Sequence, residues 1–300
     1  MSADKLSAVL RTAIQPLAKM RQFCDARDHT DKGLHNGQIF TWNVYNDVAT
    51  GGTTLTETAT VPETNYTITQ GTGTVTELGI SVPYTGLLDN LSEHPVTEIV
   101  TKVLKNDARK ALDLQAYNQF NLTKLRVGAT GGTDATLLTL TTDGTSTTSN
   151  NIALGKNHIK SLVDVMKERN IPPYVGDEYF GVAHPTTWRG VKNDLEAVYQ
   201  YVQEGFQQIY KGEIGKFEGV RFIEQNSVAK QTWASAKSNF AFFFGEDTVH
   251  EAIVIPEEIR GKIPTDFGRS KGIMWYYLGG FALVHTVAAQ SRVVKWDSSA

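Results

Sequence analysis

The chain has 300 residues, 40% of them hydrophobic and 20% charged, and its formal net charge is -3. These values are typical of a globular chain with one or two domains and exclude a disordered polypeptide. The small net charge gives no overall attraction to nucleic acid or to an anionic membrane, and the single cysteine, Cys24, excludes an internal disulfide framework. No stretch has the length of a membrane span or the apolar core of a signal peptide, so we expect a protein that is made and used inside a cell.

The first predicted element is an N-terminal arm, residues 1–33. An amphipathic segment opens it, weakened by Pro16 and followed by a polar tether. The apolar stripe consists of Leu6, Val9, Leu10, Ala13, Ile14 and Leu17. Because so short a stripe cannot be buried against itself, we expect it to dock on the main body or on a neighbouring chain.

An extended ribbon is predicted next, over residues 34–83. Apolar residues alternate with period two around Trp42 and again from Leu78 to Val82, as they do in half-buried strands. Between these two runs, residues 49–73 are rich in threonine and glycine and form the expected polar tip. Two strands cannot build a core, so the ribbon must fold back on the body or lie across a partner.

The stretch 95–122 has the periodicity of one long helix of about 40 Å. Ser92 is a candidate cap, and Pro95 is acceptable only in a first turn, so both place the start here. The predicted buried stripe is Val96, Ile99, Val100, Val103, Leu104, Ala108, Ala111, Leu112, Tyr117 and Phe120. A stripe of this length needs a long, thin sheet to cover it.

The second half of the chain predicts a compact mixed region followed by strands. A threonine-rich loop precedes helix 153–168, a short strand ending at His184, and helix 186–201. Short apolar runs then follow, and Gly279 with Gly280 divides two of them. The predicted fold class is α+β.

No catalytic, cofactor-binding or metal-ligating constellation is predicted. His184 lies at a strand end, where it would hydrogen-bond a turn, and His250 and His285 are expected to be half-exposed in strands. A catalytic Cys24 would need a histidine such as His29 turned toward it, and nothing else supports this. The run Gly-Glu-Ile-Gly at 212–215 is interpreted as a tight turn rather than an RNA-binding loop.

Three segments, taken in order, resemble a known family. They are IPPYVGDEYFGVAHP at 171–185, GEIGKFEGVRFIE at 212–224 and GIMWYYLGGFALVHTVAAQSRVVKW at 272–296. Together with the arm, ribbon and long helix, they resemble the major capsid protein of tailed phages, which has the Hong Kong 97 fold. The later segments are most similar to the coat proteins of the N-four-like phages. The threonine-rich stretch 128–150 departs from that pattern.

The resemblance implies a division of the chain into five parts. Residues 1–33 would be the N-terminal arm and 34–83 the extended loop. Residues 84–149 would form the peripheral domain, with spine helix 95–122 and the loop that follows it. Residues 150–245 would form the axial domain, and 246–300 would be strands that return to the peripheral domain.

The resemblance also implies a function in assembly rather than catalysis. Copies of the chain would form the hexamers and pentamers of an icosahedral shell that encloses double-stranded DNA without sequence-specific binding. Scaffolding, portal and decoration proteins are the other implied partners, with no membrane and no cofactor. The implied location is the virion capsid, assembled in the bacterial host cytoplasm. Without a long N-terminal extension, we expect a separate scaffolding protein or none.

Three other interpretations stay open at this point. The same fold would suit an encapsulin-like nanocompartment shell that encloses a cargo enzyme. An α+β enzyme would need a site assembled from His184, Glu224 and other distant residues. A phage tail or decoration protein would fit the threonine-rich strands but not the long central helix.

Overall fold

The computed structural model describes residues 19–29, 37–46, 52–129, 138–145, 152–199, 215–228, 240–263, 266–267 and 269–297. The amphipathic stripe predicted at the N-terminus therefore lies outside the described residues, as does most of the 212–215 turn. The helices are a 3-10 turn at Arg21–Phe23, α1 at Gly86–Leu91, α2 at Val96–Asn121, α3 at Lys156–Glu168 and α4 at Trp188–Tyr199. The strands are β1 Cys24–Asp28, β2 Ile39–Tyr45, β3 Ile68–Thr74, β4 Thr76–Thr85, β5 Leu125–Ala129, β6 Leu138–Thr141, β7 Tyr179–Ala183, β8 Lys216–Phe217, β9 Val220–Glu224, β10 Ala241–Phe244, β11 Val249–Gly261, β12 Ser270–Leu283 and β13 Val293–Trp296.

The long helix α2 has almost the predicted bounds. Its 26 residues begin after Pro95, which is the N-cap. Ser92 is not that cap, because it ends α1 and its hydroxyl accepts a hydrogen bond from His94 N at 3.2 Å. The buried face is Val100, Leu104, Ala108, Leu112, Asp113, Ala116, Tyr117 and Phe120. Val103, predicted to be buried, is 53% exposed.

A four-stranded sheet with the order β1-β11-β12-β4 covers α2. Strand β12 has 14 residues and β11 has 13, so the pair matches the length of the helix, as the predicted stripe required. Between helix and sheet lies a core that includes Leu104, Leu112, Trp275 and Tyr277. Strand β1, from the predicted arm, pairs with β11 in parallel and adds an edge to this sheet.

Gly279 and Gly280 do not divide two strands, as the sequence predicted, but lie within the single strand β12. They serve close packing instead. A methyl group at Gly279 would overlap the carbonyl oxygen of Ala252, and one at Gly280 would overlap the carbonyl oxygen of Thr74. The missing side chains therefore make room for a neighbouring strand on one side and for the ribbon on the other.

A seven-stranded mixed sheet has the order β6-β5-β13-β10-β7-β9-β8 and apolar residues on both faces. In β10, Phe242 and Phe244 point into the core shared with α2, whereas Phe243 joins a second core under α3 and α4. Trp188 and Trp296 are fully buried in that second core. One strand thus contributes to both cores and holds the two halves of the molecule together.

The last part of the chain is divided between the two sheets. Strands β11 and β12 lie in the four-stranded sheet, but β13 lies in the seven-stranded sheet between β5 and β10. Strand β5 follows α2 directly and also lies in the seven-stranded sheet. The chain therefore passes between the layers after α2, returns between β10 and β11, and passes again after β12.

A buried carboxylate on α2 joins three distant segments. Asp113 is 2% exposed, although it lies outside the buried stripe that the sequence predicts. Its Oδ1 accepts hydrogen bonds from the backbone N of Met20 at 2.7 Å and of Arg21 at 3.2 Å. Its Oδ2 accepts from Ser227 Oγ at 3.3 Å and from the amide of Gln225. This junction fixes the start of the described chain and the end of β9 to the long helix.

Candidate assembly surfaces

The predicted ribbon is present, but its second strand is β3 rather than the run from Leu78 to Val82. Strand β2 pairs with β3 in an antiparallel two-stranded sheet, and the predicted run lies in β4, which pairs with β12. The glycines of β3 explain the pairing. Gly71 faces the indole of Trp42 and Gly73 faces the ring of Phe40, and a methyl group at either glycine would overlap that ring.

The base of the ribbon is anchored to the body. Phe40 is 6% exposed and packs against Ala252 of β11 and Ala282 of β12. The indole Nε1 of Trp42 donates to the carbonyl oxygen of Val284 at 3.0 Å. These contacts bury the aromatic face of β2, so the ribbon leaves the body in a fixed direction.

Two histidines lie beneath this base. His250 is 5% exposed, not half-exposed as predicted, and its ring stacks on Trp42 with 12° between the planes. Its Nε2 lies 3.3 Å from Nε2 of His29, so one nitrogen donates and the other accepts. Burial, followed by the positive charge of Arg27, lowers the pKa of His250. The neutral ring is thus the form that suits the anchored ribbon.

At the far end of the ribbon, Asn46 Oδ1 accepts a hydrogen bond from the side-chain amide of Gln290, and the loop beyond it is exposed. All residues from 52 to 68 are exposed. Several of them are large and apolar, including Leu55 at 60%, Tyr66 at 68% and Ile68 at 57% exposure, and Tyr45 at the end of β2 is 80% exposed. A two-stranded sheet with a long, exposed loop and no core of its own is typical of a segment that is stabilised by a partner.

A second exposed apolar surface lies around helix α1. None of the six residues of α1 is buried, and Leu87 and Leu91 are 70% and 75% exposed. Ile263, just beyond the end of β11, is 84% exposed. The ion pair between Lys271 Nζ and Asp89 Oδ2, at 2.8 Å, holds α1 to β12. Contiguous exposed leucines at the end of a sheet indicate a contact surface.

A groove of about 750 Å³ lies between α2 and the four-stranded sheet. Ala108, Ile259 and Trp275 form its apolar part, and Lys105 and Arg109 of α2 line one side. Cys24 also lines the groove. A catalytic thiol has a lowered pKa, whereas burial raises the pKa of the Cys24 thiol. The histidine proposed for it, His29, contacts His250 instead.

The enzyme interpretation requires His184 and Glu224 to act together. They lie on neighbouring strands, because Ala183 pairs with Glu224 across β7 and β9. Each side chain already has a hydrogen-bond partner other than the other. His184 Nδ1 accepts from Thr186 N at 3.2 Å, which is the turn contact that the sequence predicted, and Glu224 accepts from Lys192 Nζ at 2.6 Å.

Two further searches concern only the described part of the chain. Within those ranges, no three side chains of His, Cys, Asp or Glu converge on a point that would suit a metal ion. Among the helices found there, none is long and apolar enough to cross a membrane.

The whole architecture matches solved phage capsids. The capsid protein of the cyanophage P-SCSP1u superposes with a TM-score of 0.71 at 8% identity, over 99% of this chain and 93% of that chain. The capsid of Ralstonia phage GP4 gives 0.71 at 12% identity, over 100% and 95% of the two chains. The capsid of cyanophage Pam1 gives 0.63 at 15% identity, over all of both chains. No family model and no curated protein matches the sequence. The chain has the α+β, Hong Kong 97-type fold of tailed-phage capsid proteins.

Proposed function

We propose that this chain is the major capsid protein of a tailed double-stranded DNA phage. The observation that carries the proposal is the coverage of the match. The capsids of P-SCSP1u, GP4 and Pam1 each cover at least 99% of this chain, including the ribbon, whose loop is exposed. A likeness restricted to the two cores would leave the ribbon without a role. We further assign the chain to the N-four-like subfamily, on the strength of the segments 171–185, 212–224 and 272–296.

The proposed shell gives the exposed loop of the ribbon a neighbouring subunit to contact. Residues 34–83 serve as the extended loop that lies across a neighbouring subunit, and 1–33 as the N-terminal arm. Residues 84–149, with the spine helix, form the peripheral domain, and 150–245 form the axial domain that meets its copies around the five-fold and six-fold axes. We place β11 and β12 of the 246–300 segment with the peripheral domain, and β13 and β5 with the axial sheet, because those are the sheets in which they pair.

The proposed partners are further copies of the chain, in hexamers and pentamers, with scaffolding, portal and decoration proteins. Many weak contacts then add up around a closed shell, and closure leaves no open edge for further growth. The net charge of -3 suits a shell that encloses DNA without binding it strongly. The proposal assigns no enzymatic activity, cofactor or membrane contact, and places the chain in the virion capsid after assembly in the host cytoplasm.

Negative-stain electron microscopy with light scattering tests the proposal. The chain would be expressed alone and again with its genomic neighbours, and the result expected is closed, uniform shells or sheets of hexamers. Shells that contain DNA support the phage capsid, whereas shells that enclose a cargo enzyme would identify the chain as a nanocompartment shell protein. A monomer or small oligomer in both preparations would refute the shell function, and His184 would then be the first residue to test for catalysis.

A further inference from the structure

A second cavity, of about 380 Å³, lies where the ribbon meets the body. Strand β2 of the ribbon supplies one wall, which includes Trp42 and Tyr45. The body supplies the other wall, which includes His285, just after β12, and Arg292, just before β13. A cavity of this size accommodates a small molecule. A molecule bound there contacts the ribbon and the body at once.

Basic side chains outnumber acidic ones in the lining of this cavity. Arg27 and Arg292 line it together with one acid, Asp247. Asp25 and Glu246 line an adjoining cavity instead. Two arginines against one aspartate leave the lining with a formal charge of +1 when its histidines are neutral. Such a lining favours a small anion over a cation.

Both guanidinium groups keep N–H donors for a ligand. Arg27 uses Nε, which donates to Asp25 Oδ2 at 2.9 Å. Arg292 uses Nη1, which donates to the carbonyl oxygen of Glu246 at 3.3 Å and lies 3.6 Å from Asp247 Oδ2. In the part of the chain that the structure describes, no acceptor binds Nη1 or Nη2 of Arg27, or Nε or Nη2 of Arg292. Guanidinium groups with unused donors suit the oxygens of a phosphate ion.

His285 supplies an independent observation. It is 5% exposed, not half-exposed as the sequence predicted, and its Nε2 lies 3.3 Å from Oδ2 of Asp247. The hydrogen bond from His285 is the largest cause that lowers the pKa of Asp247, so the carboxylate stays ionised and Nε2 carries the proton. Nδ1 is then an acceptor, and it is buried without a hydrogen-bond partner among the described residues. Because buried polar atoms nearly always have a partner, this nitrogen indicates a ligand that donates a hydrogen bond.

We propose that this cavity binds the hydrogen phosphate ion. Its anionic oxygens accept from the free N–H groups of Arg27 and Arg292, and its P–OH group donates to Nδ1 of His285. At neutral pH this ion is both an acceptor and a donor, whereas sulfate, which has the same shape, carries no hydrogen. The site goes beyond the proposed shell function and does not rest on it. Because one wall belongs to β2, bound phosphate also ties the ribbon to the body.

Isothermal titration calorimetry of the full chain with inorganic phosphate, at constant ionic strength, tests the site. We expect sulfate to bind about tenfold more weakly than phosphate, because it cannot donate to Nδ1 of His285. Arg27→Gln and Arg292→Gln should each weaken phosphate binding about tenfold, because each removes charge-assisted hydrogen bonds. His285→Phe should weaken phosphate binding but not sulfate binding, so that the two ions bind alike. Circular dichroism checks that each variant is folded.

The seven-stranded sheet supplies a matched control. Arg221 of β9 is 54% exposed, comparable with the 60% of Arg27, and does not line the cavity. Arg221→Gln removes the same charge and should leave phosphate affinity unchanged. Equal affinities of the wild type for phosphate and sulfate, no phosphate binding, or equal losses in the Arg221 and Arg27 variants would overturn the site. None of these results bears on shell formation, which electron microscopy tests separately, so the site and the capsid function can fail independently.

Discussion

Replacement of Asp113 by alanine should destabilise the subunit strongly. The carboxylate is 2% exposed and accepts hydrogen bonds from two backbone N–H groups, a hydroxyl and an amide, which belong to two segments far apart in the sequence, 20–21 and 225–227. In the alanine variant, all four donors lose their acceptor. Met20 and Gln225 are themselves buried, so water cannot replace the carboxylate as their acceptor unless the structure opens locally.

The magnitude follows from these donors. Each buried donor without an acceptor costs about 1–3 kcal/mol, and partial rehydration of the more accessible ones offsets some of this. We expect the free energy of unfolding to fall by about 3–5 kcal/mol, within the range found when one partner of a buried charged network is removed. Urea unfolding of the unassembled chain, followed by tryptophan fluorescence, measures the change.

Asp107→Ala is the matched control on the same helix. Asp107 accepts one side-chain hydrogen bond, from Trp275 Nε1, so its replacement should cost only about 1 kcal/mol. Asp113→Asn keeps one acceptor oxygen and should fall between the two alanine variants. Equal stability losses in the two alanine variants would refute the view that Asp113 joins the three segments.

Three further predictions concern the ribbon and two buried titratable groups. Deletion of residues 48–64 should leave a folded subunit by circular dichroism but prevent shell closure in electron micrographs, and normal particles would show that the extended loop lies elsewhere. Burial lowers the pKa of Lys295 to about 8, so the unfolded chain binds more protons above that pH, and stability should rise by about 2–3 kcal/mol between pH 8 and 10.5 in denaturant titrations. Lys295→Met should abolish that rise, and a rise that persists would assign it to another group. The lowered pKa of His250 acts in the same direction at lower pH, because the unfolded chain again binds more protons: stability should fall as the pH drops below about 6.5. His250→Phe should reduce this acid loss, which an unchanged pH profile would contradict.

The long helix was predictable because its evidence is local. An uninterrupted apolar stripe and a proline at the first turn placed its start and end within a residue of the observed Val96–Asn121. Asp113 was not predictable, because periodicity assigns a lone acid to the polar face. The groups that make its burial favourable are Met20, 93 residues away, and Gln225, 112 residues away. A pattern of neighbours along the chain contains neither of them.

Strand β3 shows the same limit in the candidate site. Its sequence, Ile-Thr-Gln-Gly-Thr-Gly-Thr, has no alternation of large apolar residues, so the pattern predicts a polar tip there instead of a strand. Its glycines act only in combination with Phe40 and Trp42 of the partner strand, whose rings occupy the space above them. The existence of a ribbon was predictable from its lack of a core, whereas its register depended on this cross-strand packing.

The two ends of the ribbon have different stabilities, and the proposed assembly needs that difference. The base is fixed by Phe40, by the hydrogen bond of Trp42 and by the ring of His250, so the direction in which the ribbon leaves the body is set before any partner arrives. The loop 52–67 makes no such contacts with the body and is exposed along its whole length. A fixed base lowers the entropic cost of finding the neighbouring subunit, while the exposed loop gains its stabilising contacts only when that subunit is present. Assembly then depends on the neighbour, because the final stabilising contacts do not exist within a single chain.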